Sequence, residues 1–192
     1  MWARLKHRRK TREAKINKVR IGGGELRSRV VTFPEAEGLR PTPDRVRETL
    51  FNWLGQTLYG RSCLDLFAGS GALGFEAASR GAERVLMVEK NTLVFRALKE
   101  NIGKLACANV VVRHQDGLEF VRRDTQRYDI IFLDPPFQSD YFPALLEILP
   151  QRLNENGVVY VESGAPIEVS SPWRVLKSGR AGQVWYQLID VE

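Results

Sequence analysis

Four carboxylates in this chain close short runs of strand-forming residues: Asp65 in SCLDLF, Glu89 in RVLMVEK, Asp116 after VVVRHQ and Asp134 after YDIIFL. Behind the first run comes FAGSGALG, where Gly69, Gly71 and Gly74 spell GxGxxG between a strand and a helix. Glu89 falls twenty residues after Gly69. That spacing is the dinucleotide fingerprint, in which a glycine turn seats a pyrophosphate and a distal acid holds a ribose. A nicotinamide dehydrogenase is therefore one reading of these residues.

Asp65 speaks against it, because a carboxylate beside the turn repels a pyrophosphate. It suits a ligand that carries a cation there and still offers a ribose to Glu89. S-adenosylmethionine, with its ammonium and sulfonium, has both. Two positions keep a plainer alternative. Asp65 could be a helix-capping carboxylate, and Asp116 could either cap the following helix or contact an adenine amino group.

The fourth acid opens LDPPF, residues 133–137. One proline suffices to stop a strand, so the second calls for another reason. Proline has a carbonyl but no N–H, and the residue before a proline is held extended. Asp134-Pro135-Pro136 therefore offers acceptors in fixed directions and withholds two backbone donors. Such a rim matches a primary or exocyclic amine, and Phe137 adds a flat face on which a base can stack. The bland alternative is a strand-ending turn with Phe137 in the core.

These residues need a frame that brings strand ends together. SCLDLF, RVLMVE, NVVVRH, YDIIFL and GVVYVE are short, apolar and mostly not alternating, as strands buried on both faces are. Helical stretches fall between them at 72–80, 91–104, 116–124 and 140–150. WRVLKSG and QVWYQLIDV close the chain as an antiparallel hairpin around Gly179–Gly182. The expected fold class is α/β: a doubly wound, Rossmann-like, seven-stranded, mostly parallel sheet with an antiparallel C-terminal hairpin. Ligands of such sheets bind beyond the C-terminal strand ends. Upstream, residues 18–33 read as a small N-terminal β-hairpin turning at Gly22–Gly24. Thr42 reads as the N-cap of a helix with Pro43 at its first position and an apolar stripe of Val46, Leu50, Trp53, Leu54 and Leu58. The expected division is a flexible basic extension over 1–17, a hairpin and helix over 18–58, and the Rossmann-like domain over 59–192.

Charge is uneven. Residues 1–47 hold 14 Lys/Arg against 5 Asp/Glu, and the remainder 15 against 18. This asymmetry points to a polyanion such as nucleic acid, where a solvated tail is the alternative for residues 1–15. Arg27, Arg29, Arg40, Arg45 and Arg47 carry the charge into folded chain. Cys63 and Cys107 fit neither a metal site nor a disulfide framework. Neither lies at the ligand edge, which argues against the thiolate needed for cytosine-C5 methylation. No run approaches the ~20 apolar residues of a membrane span, and the basic N-terminus is followed by no apolar signal region. A reduced, cytoplasmic, monomeric protein without metal or membrane is the expectation.

DLFAGSGALG together with LDPPF resembles the class I S-adenosylmethionine-dependent methyltransferases of exocyclic amines, whose motif is (D/N/S)PP(F/Y/W). GLRPTPDRVRETLFNWL, residues 38–54, following VRIGGGELRSRVV, resembles the bacterial 16S ribosomal RNA guanine-N2 methyltransferase family. The resemblance spans residues 18–190. It implies that Asp65, Phe67, Gly69 and Gly71 hold the cofactor's methionine end, with Glu89 on the ribose and Asp116 on the adenine. It places Thr42 and Arg40 at the mouth of the site. Asp134 and the Pro135 carbonyl grip the guanine amine, and Phe137 stacks on the base. The implied partner is ribosomal RNA within an assembling small subunit, reached by the five arginines. A DNA or RNA adenine-N6 methyltransferase and a non-catalytic RNA-binding assembly factor are the rival readings.

Overall fold

Apolar strands with no polar face need helices on both sides, and that is how the chain is built. A computed structural model describes residues 16–36, 39, 41–136 and 141–192. The basic extension, Arg40 and Phe137 thus lie wholly or largely outside the described residues. An antiparallel pair, β1 (Ile16–Arg20) and β2 (Val30–Pro34), precedes helix α1 (Asp44–Leu54). Strands then alternate with helices: β3 (Ser62–Asp65), α2 (Ala72–Ser79), β4 (Arg84–Glu89), α3 (Thr92–Leu105), β5 (Val110–His114), α4 (Gly117–Arg123) and β6 (Tyr128–Leu133). Helix α5 (Phe142–Ile148) leads through a 3-10 turn into β7 (Leu153–Ser163), and β8 (Trp173–Ala181) with β9 (Val184–Val191) ends the chain.

The seven-stranded sheet runs β5-β4-β3-β6-β7-β9-β8. Its first four pairings are parallel, and those of β9 with β7 and β8 are antiparallel. Strand order reverses between β3 and β6. A crevice opens beyond the carboxyl ends of strands at such a switch point. The expected fold class is what the chain adopts. Among the described residues no helix is long and apolar enough to cross a membrane.

Alternate strand residues enter two cores. Cys63, Met87, Phe132 and Tyr160 pack with α1, α2 and α3 on one face, while Leu64, Val88, Ile131 and Val161 pack with α4 and α5 on the other. Two residues beyond each member of the first set stands an acid: Asp65, Glu89, Asp134 and Glu162. Side-chain alternation with period two puts all four on one face of the sheet, at one edge. Burial parity thus sets the position of the chemistry.

Three local expectations need correction. Helix α1 begins at Asp44 with Pro43 in the N-cap position and no side-chain cap, because the Thr42 hydroxyl donates instead to Glu162 Oε1 at 2.7 Å. The helix stops at Gly55 (φ 98°), so Leu58 packs from beyond it. At the C-terminal hairpin the tip is Gly182 (φ 61°). Gly179 lies within β8, where an added Cβ would come 2.4 Å from the Tyr186 ring.

The third correction concerns Gly22–Gly24. They lie in the connection between β1 and β2, but the connection is drawn down onto α2. The Gly22 N–H donates to Glu76 Oε2 at 2.7 Å, the Glu25 N–H to the Ser79 carbonyl at 2.8 Å, and Ser79 Oγ to the Gly23 carbonyl at 2.5 Å. A Cβ on Gly24 would sit 1.8 Å from the Ser79 carbonyl oxygen. Close approach to α2, as much as turning, requires glycine there. Below the loop, the buried Arg80 guanidinium bonds Glu76 at 2.9 Å and lies 4.8 Å from the Phe51 ring centroid. Glu76→Ala removes the buried anion that faces this guanidinium and the acceptor of the Gly22 N–H, leaving Arg80 with Gln56 and the loop with its Ser79 contacts. Urea denaturation is expected to show a loss of about 3 kcal/mol; a loss within about 0.5 kcal/mol, typical of exposed sites, would show that the ion pair does not hold the hairpin.

Candidate active site

The switch point between β3 and β6 opens onto a cavity of about 590 Å³ whose wall includes Asp65, Gly69, Glu89, Asp134, Pro135 and Glu162. The glycine turn and the Asp-Pro-Pro segment therefore share one space. Gly69 (φ 51°) and Gly71 (φ 77°) take left-handed backbone conformations. Added Cβ atoms would meet Leu39 at 2.8 Å and Leu98 at 2.6 Å respectively, so both the conformation and the space call for glycine. The turn is braced from β4, where Glu89 accepts the Gly69 N–H at 2.9 Å and the Asn91 N–H at 2.6 Å. Glu89 lines the cavity while holding this loop.

Asp65 makes the helix-capping contact and also faces the cavity. Its Oδ2 accepts the Gly74 N–H in the first turn of α2 at 3.1 Å, and the residue also lines the cavity. Asp116 takes its capping role. Its Oδ1 accepts the Leu118 and Glu119 N–H groups at 2.9 and 3.2 Å, and Oδ2 accepts the Tyr141 hydroxyl at 3.3 Å. The cavity wall there comes from its neighbours Gln115 and Gly117. Phe67 also lines the cavity, its ring 5.3 Å from that of Tyr141. A Cβ on Gly117 would strike the Phe67 ring and the Leu66 carbonyl, which lets this wall close tightly.

Glu162 was not singled out in the sequence. Yet GVVYVE, like the other four runs, ends in a carboxylate, and that was the available signal. β6 and β7 pair in parallel register with Leu133 opposite Val161. One residue further, Asp134 and Glu162 are neighbours on strands that lie ~4.8 Å apart. Glu162 is buried, and its Oε1 accepts both the Thr42 hydroxyl at 2.7 Å and the Tyr160 hydroxyl at 2.9 Å. Thr42 thereby lines the cavity as a partner of Glu162.

Packing four acids together has an electrostatic cost. Burial, and then repulsion from Glu89 and Glu162 against the relief of the Gly74 N–H, pushes the Asp65 carboxyl up to about 7. Burial and the nearby Glu162 and Asp65 raise Asp134 well above the ordinary carboxylate range. Burial raises Glu162 too, opposed by the Thr42 and Tyr160 hydroxyls and by Arg47. Among the described residues the cavity wall holds one basic side chain, Lys90. A cation bound among these acids would restore their charged forms. The donor set fits a positively charged ligand and repels a pyrophosphate.

The arginines divide. Arg27, Arg29 and Arg45 are exposed, and Arg29 reaches the Lys104 carbonyl at 3.2 Å. Arg47, expected among the RNA-binding residues, is buried. Its guanidinium donates to the Arg20 carbonyl at 2.6 Å, the Thr42 carbonyl at 3.0 Å and Asp44 at 2.9 Å. It ties β1 to α1 and the Thr42 loop, which leaves it unable to meet a phosphate.

Comparison with known proteins agrees with this architecture. The chain is 39% identical over 180 residues to the ribosomal RNA small subunit methyltransferase D of Escherichia coli (strain K12), covering 91% of this chain and 90% of that protein. It is 40% identical to the protein of the same name from Haemophilus influenzae, covering 88% and 92%. The solved Escherichia coli protein yhhF superposes with a TM-score of 0.82 at 38% identity, covering 92% of this chain and 99% of that one. The chain belongs to the family described as Conserved hypothetical protein 95, whose model matches residues 19–190, and is similar over most of its length to these small-subunit ribosomal RNA methyltransferases.

Proposed function

We propose that this protein is an S-adenosylmethionine-dependent methyltransferase of small-subunit ribosomal RNA, acting on the exocyclic N2 amine of a guanine. The observation that carries the reading is the single cavity joining the glycine turn to the Asp134-Pro135-Pro136 rim. The methyltransferase names and identities of its relatives support it. Asp65, Phe67 and the turn at Gly69 and Gly71 hold the methionine end of the cofactor, and Glu89 holds the ribose. Asp116 shapes the adenine end by capping α4. Bound there, S-adenosylmethionine supplies an electrophilic methyl group on a sulfonium.

The chain's own work is on the amine. A guanine N2 lone pair is delocalised into the ring and is a poor nucleophile. Asp134 and the Pro135 carbonyl accept its two hydrogens and favour a pyramidal nitrogen, localising the lone pair. Neither Pro135 nor Pro136 offers a competing backbone donor. Asp134 takes the departing proton, directly or through water. Phe137 follows this rim in sequence and stacks on the base. Positioning and oriented acceptors supply most of the acceleration. The base must leave its stack to be reached.

Residues 18–58 form the RNA-facing part in this reading, and residues 59–192 the methyltransferase domain. The protein acts as a cytoplasmic monomer on an assembling subunit, whose proteins complete recognition. Arg27, Arg29 and Arg45 meet phosphates, joined by Arg40 and the basic extension. Each exposed arginine changed to Ala is expected to reduce the slope of log affinity against log salt by about 1. Filter binding at several salt concentrations reads this, and an unaltered slope in all three variants would place the RNA elsewhere. Transfer of labelled methyl to stripped ribosomal RNA, small subunits and duplex DNA tests the whole reading. Incorporation confined to DNA would overturn it.

A further inference from the structure

Glu162 is a buried carboxylate with a divided environment. Both hydroxyl partners, those of Thr42 and Tyr160, converge on Oε1. Oε2 has no hydrogen-bond partner among the described residues, although the side chain lines the cavity. The Asp134 carboxylate likewise has no partner among the described residues, and register places it beside Glu162 at the ends of β6 and β7. The wall next to the Pro-Pro rim is therefore a pair of acceptors, one of them fixed in direction by two hydroxyls.

Purine edges differ at this point. Guanine presents adjacent donors, the N1–H and the N2 amine. Adenine offers an amine next to a bare N1, which is an acceptor. A carboxylate beside the amine-binding group accepts from the first edge and repels the second. We infer that Glu162 selects guanine, its Oε2 accepting the N1–H while Asp134 receives the neighbouring N2 amine. This rests on the methyltransferase reading above and adds to it the residue that chooses the base. An anionic acceptor at N1–H also pushes electron density through the ring towards N2, so selection and activation come from one contact. Thr42, at the start of the RNA-facing helix, and Tyr160, in the strand, act as positioning residues through Oε1.

Glu162→Gln isolates this contact. The amide oxygen keeps both hydroxyl partners at Oε1, and those partners direct the new NH2 group to where Oε2 was. A donor then faces N1. The guanosine methylated by the wild type is mapped first, and ribosomal RNA is prepared by ligation with either guanosine or 2-aminopurine riboside at that position. 2-Aminopurine keeps the amine and lacks the N1–H. The wild type is expected to favour guanosine by roughly 10- to 100-fold in kcat/KM. In Glu162→Gln the preference is expected to vanish or invert, with thermal denaturation confirming the folded state and S-adenosylhomocysteine binding measured separately. Equal loss on both substrates would make Glu162 a structural brace and overturn the inference while leaving the methyltransferase reading intact. A wild type that labels adenosine, or no RNA at all, would instead remove the reading on which it rests.

Discussion

Asp134→Ala is expected to reduce kcat for methyl transfer by about 10³-fold or more, a loss of about 4 kcal/mol, while S-adenosylhomocysteine binds within about fivefold of wild-type affinity. The reasoning is geometric. Asp134 stands one residue past β6, beside Glu162, in the wall shared by the glycine turn and the prolines. Truncation leaves the amine with one fixed acceptor, the Pro135 carbonyl, and no base for its proton. The glycine turn, held by Glu89 through Gly69, is untouched. Single-turnover transfer and calorimetric titration separate the two effects. Wild-type turnover in the variant would remove Asp134 from the mechanism. A collapse of cofactor affinity with turnover preserved at saturation would reassign it to the cofactor.

Asp65 carries the second large effect, and it runs in opposite directions for binding and stability. With its carboxyl at about 7 in the free protein, Asp65 is protonated below that pH and must ionise to meet a cation. Affinity for S-adenosylmethionine is expected to rise from about pH 5.5 to about pH 7.5, the upper limit set by the ligand's own amino group. Binding at the lower end should release a proton, seen as a heat that depends on the buffer's ionisation enthalpy. Asp65→Asn is expected to weaken binding by about 100-fold near neutrality and to flatten the dependence. Its stability should move the other way. A carboxyl raised above its unfolded value stabilises the fold fully only below about pH 4 in relative terms. That advantage is lost as pH climbs towards 7, because the folded state then holds a proton the unfolded chain has released. The ligand-free Asn variant, able to keep the Gly74 N–H contact, should therefore exceed the wild type by on the order of 2 kcal/mol at about pH 7.5 and match it near pH 4. An equal or lower stability at neutral pH would mean that ionised Asp65 is not strained in the free protein.

The sheet was readable because buried parallel strands need continuous Val, Ile and Leu, and this chain separates them with well-marked helices. Asp65, Glu89 and Asp134 were legible for a related reason: an acid ending an apolar strand has few places to be except the ligand edge. Glu162 obeys the same rule, but the SGAP that follows it matches neither GxGxxG nor Asp-Pro-Pro and so marks no ligand. Arg47 shows the opposite limit. In sequence it is one of five arginines near the basic end, and only the tertiary closure of β1 on α1 turns it inward. Thr42 likewise has the type of an N-cap, but a partner 120 residues away competes for its hydroxyl. Gly22–Gly24 read as a turn because local rules cannot see that α2 comes within contact of the loop. Local pattern reached the strands and their ends; long-range pairing decided which polar side chains were spent on structure.

The most direct measurement of the central claim is the identity of the methylated atom. Small subunits or their RNA are treated with enzyme and labelled S-adenosylmethionine, digested to nucleosides and separated with standards. An acceptor rim built for an NH2 group beside a base-selecting carboxylate predicts N2-methylguanosine as the product. Label in a ring nitrogen, a ring carbon or the ribose of any nucleoside would contradict it.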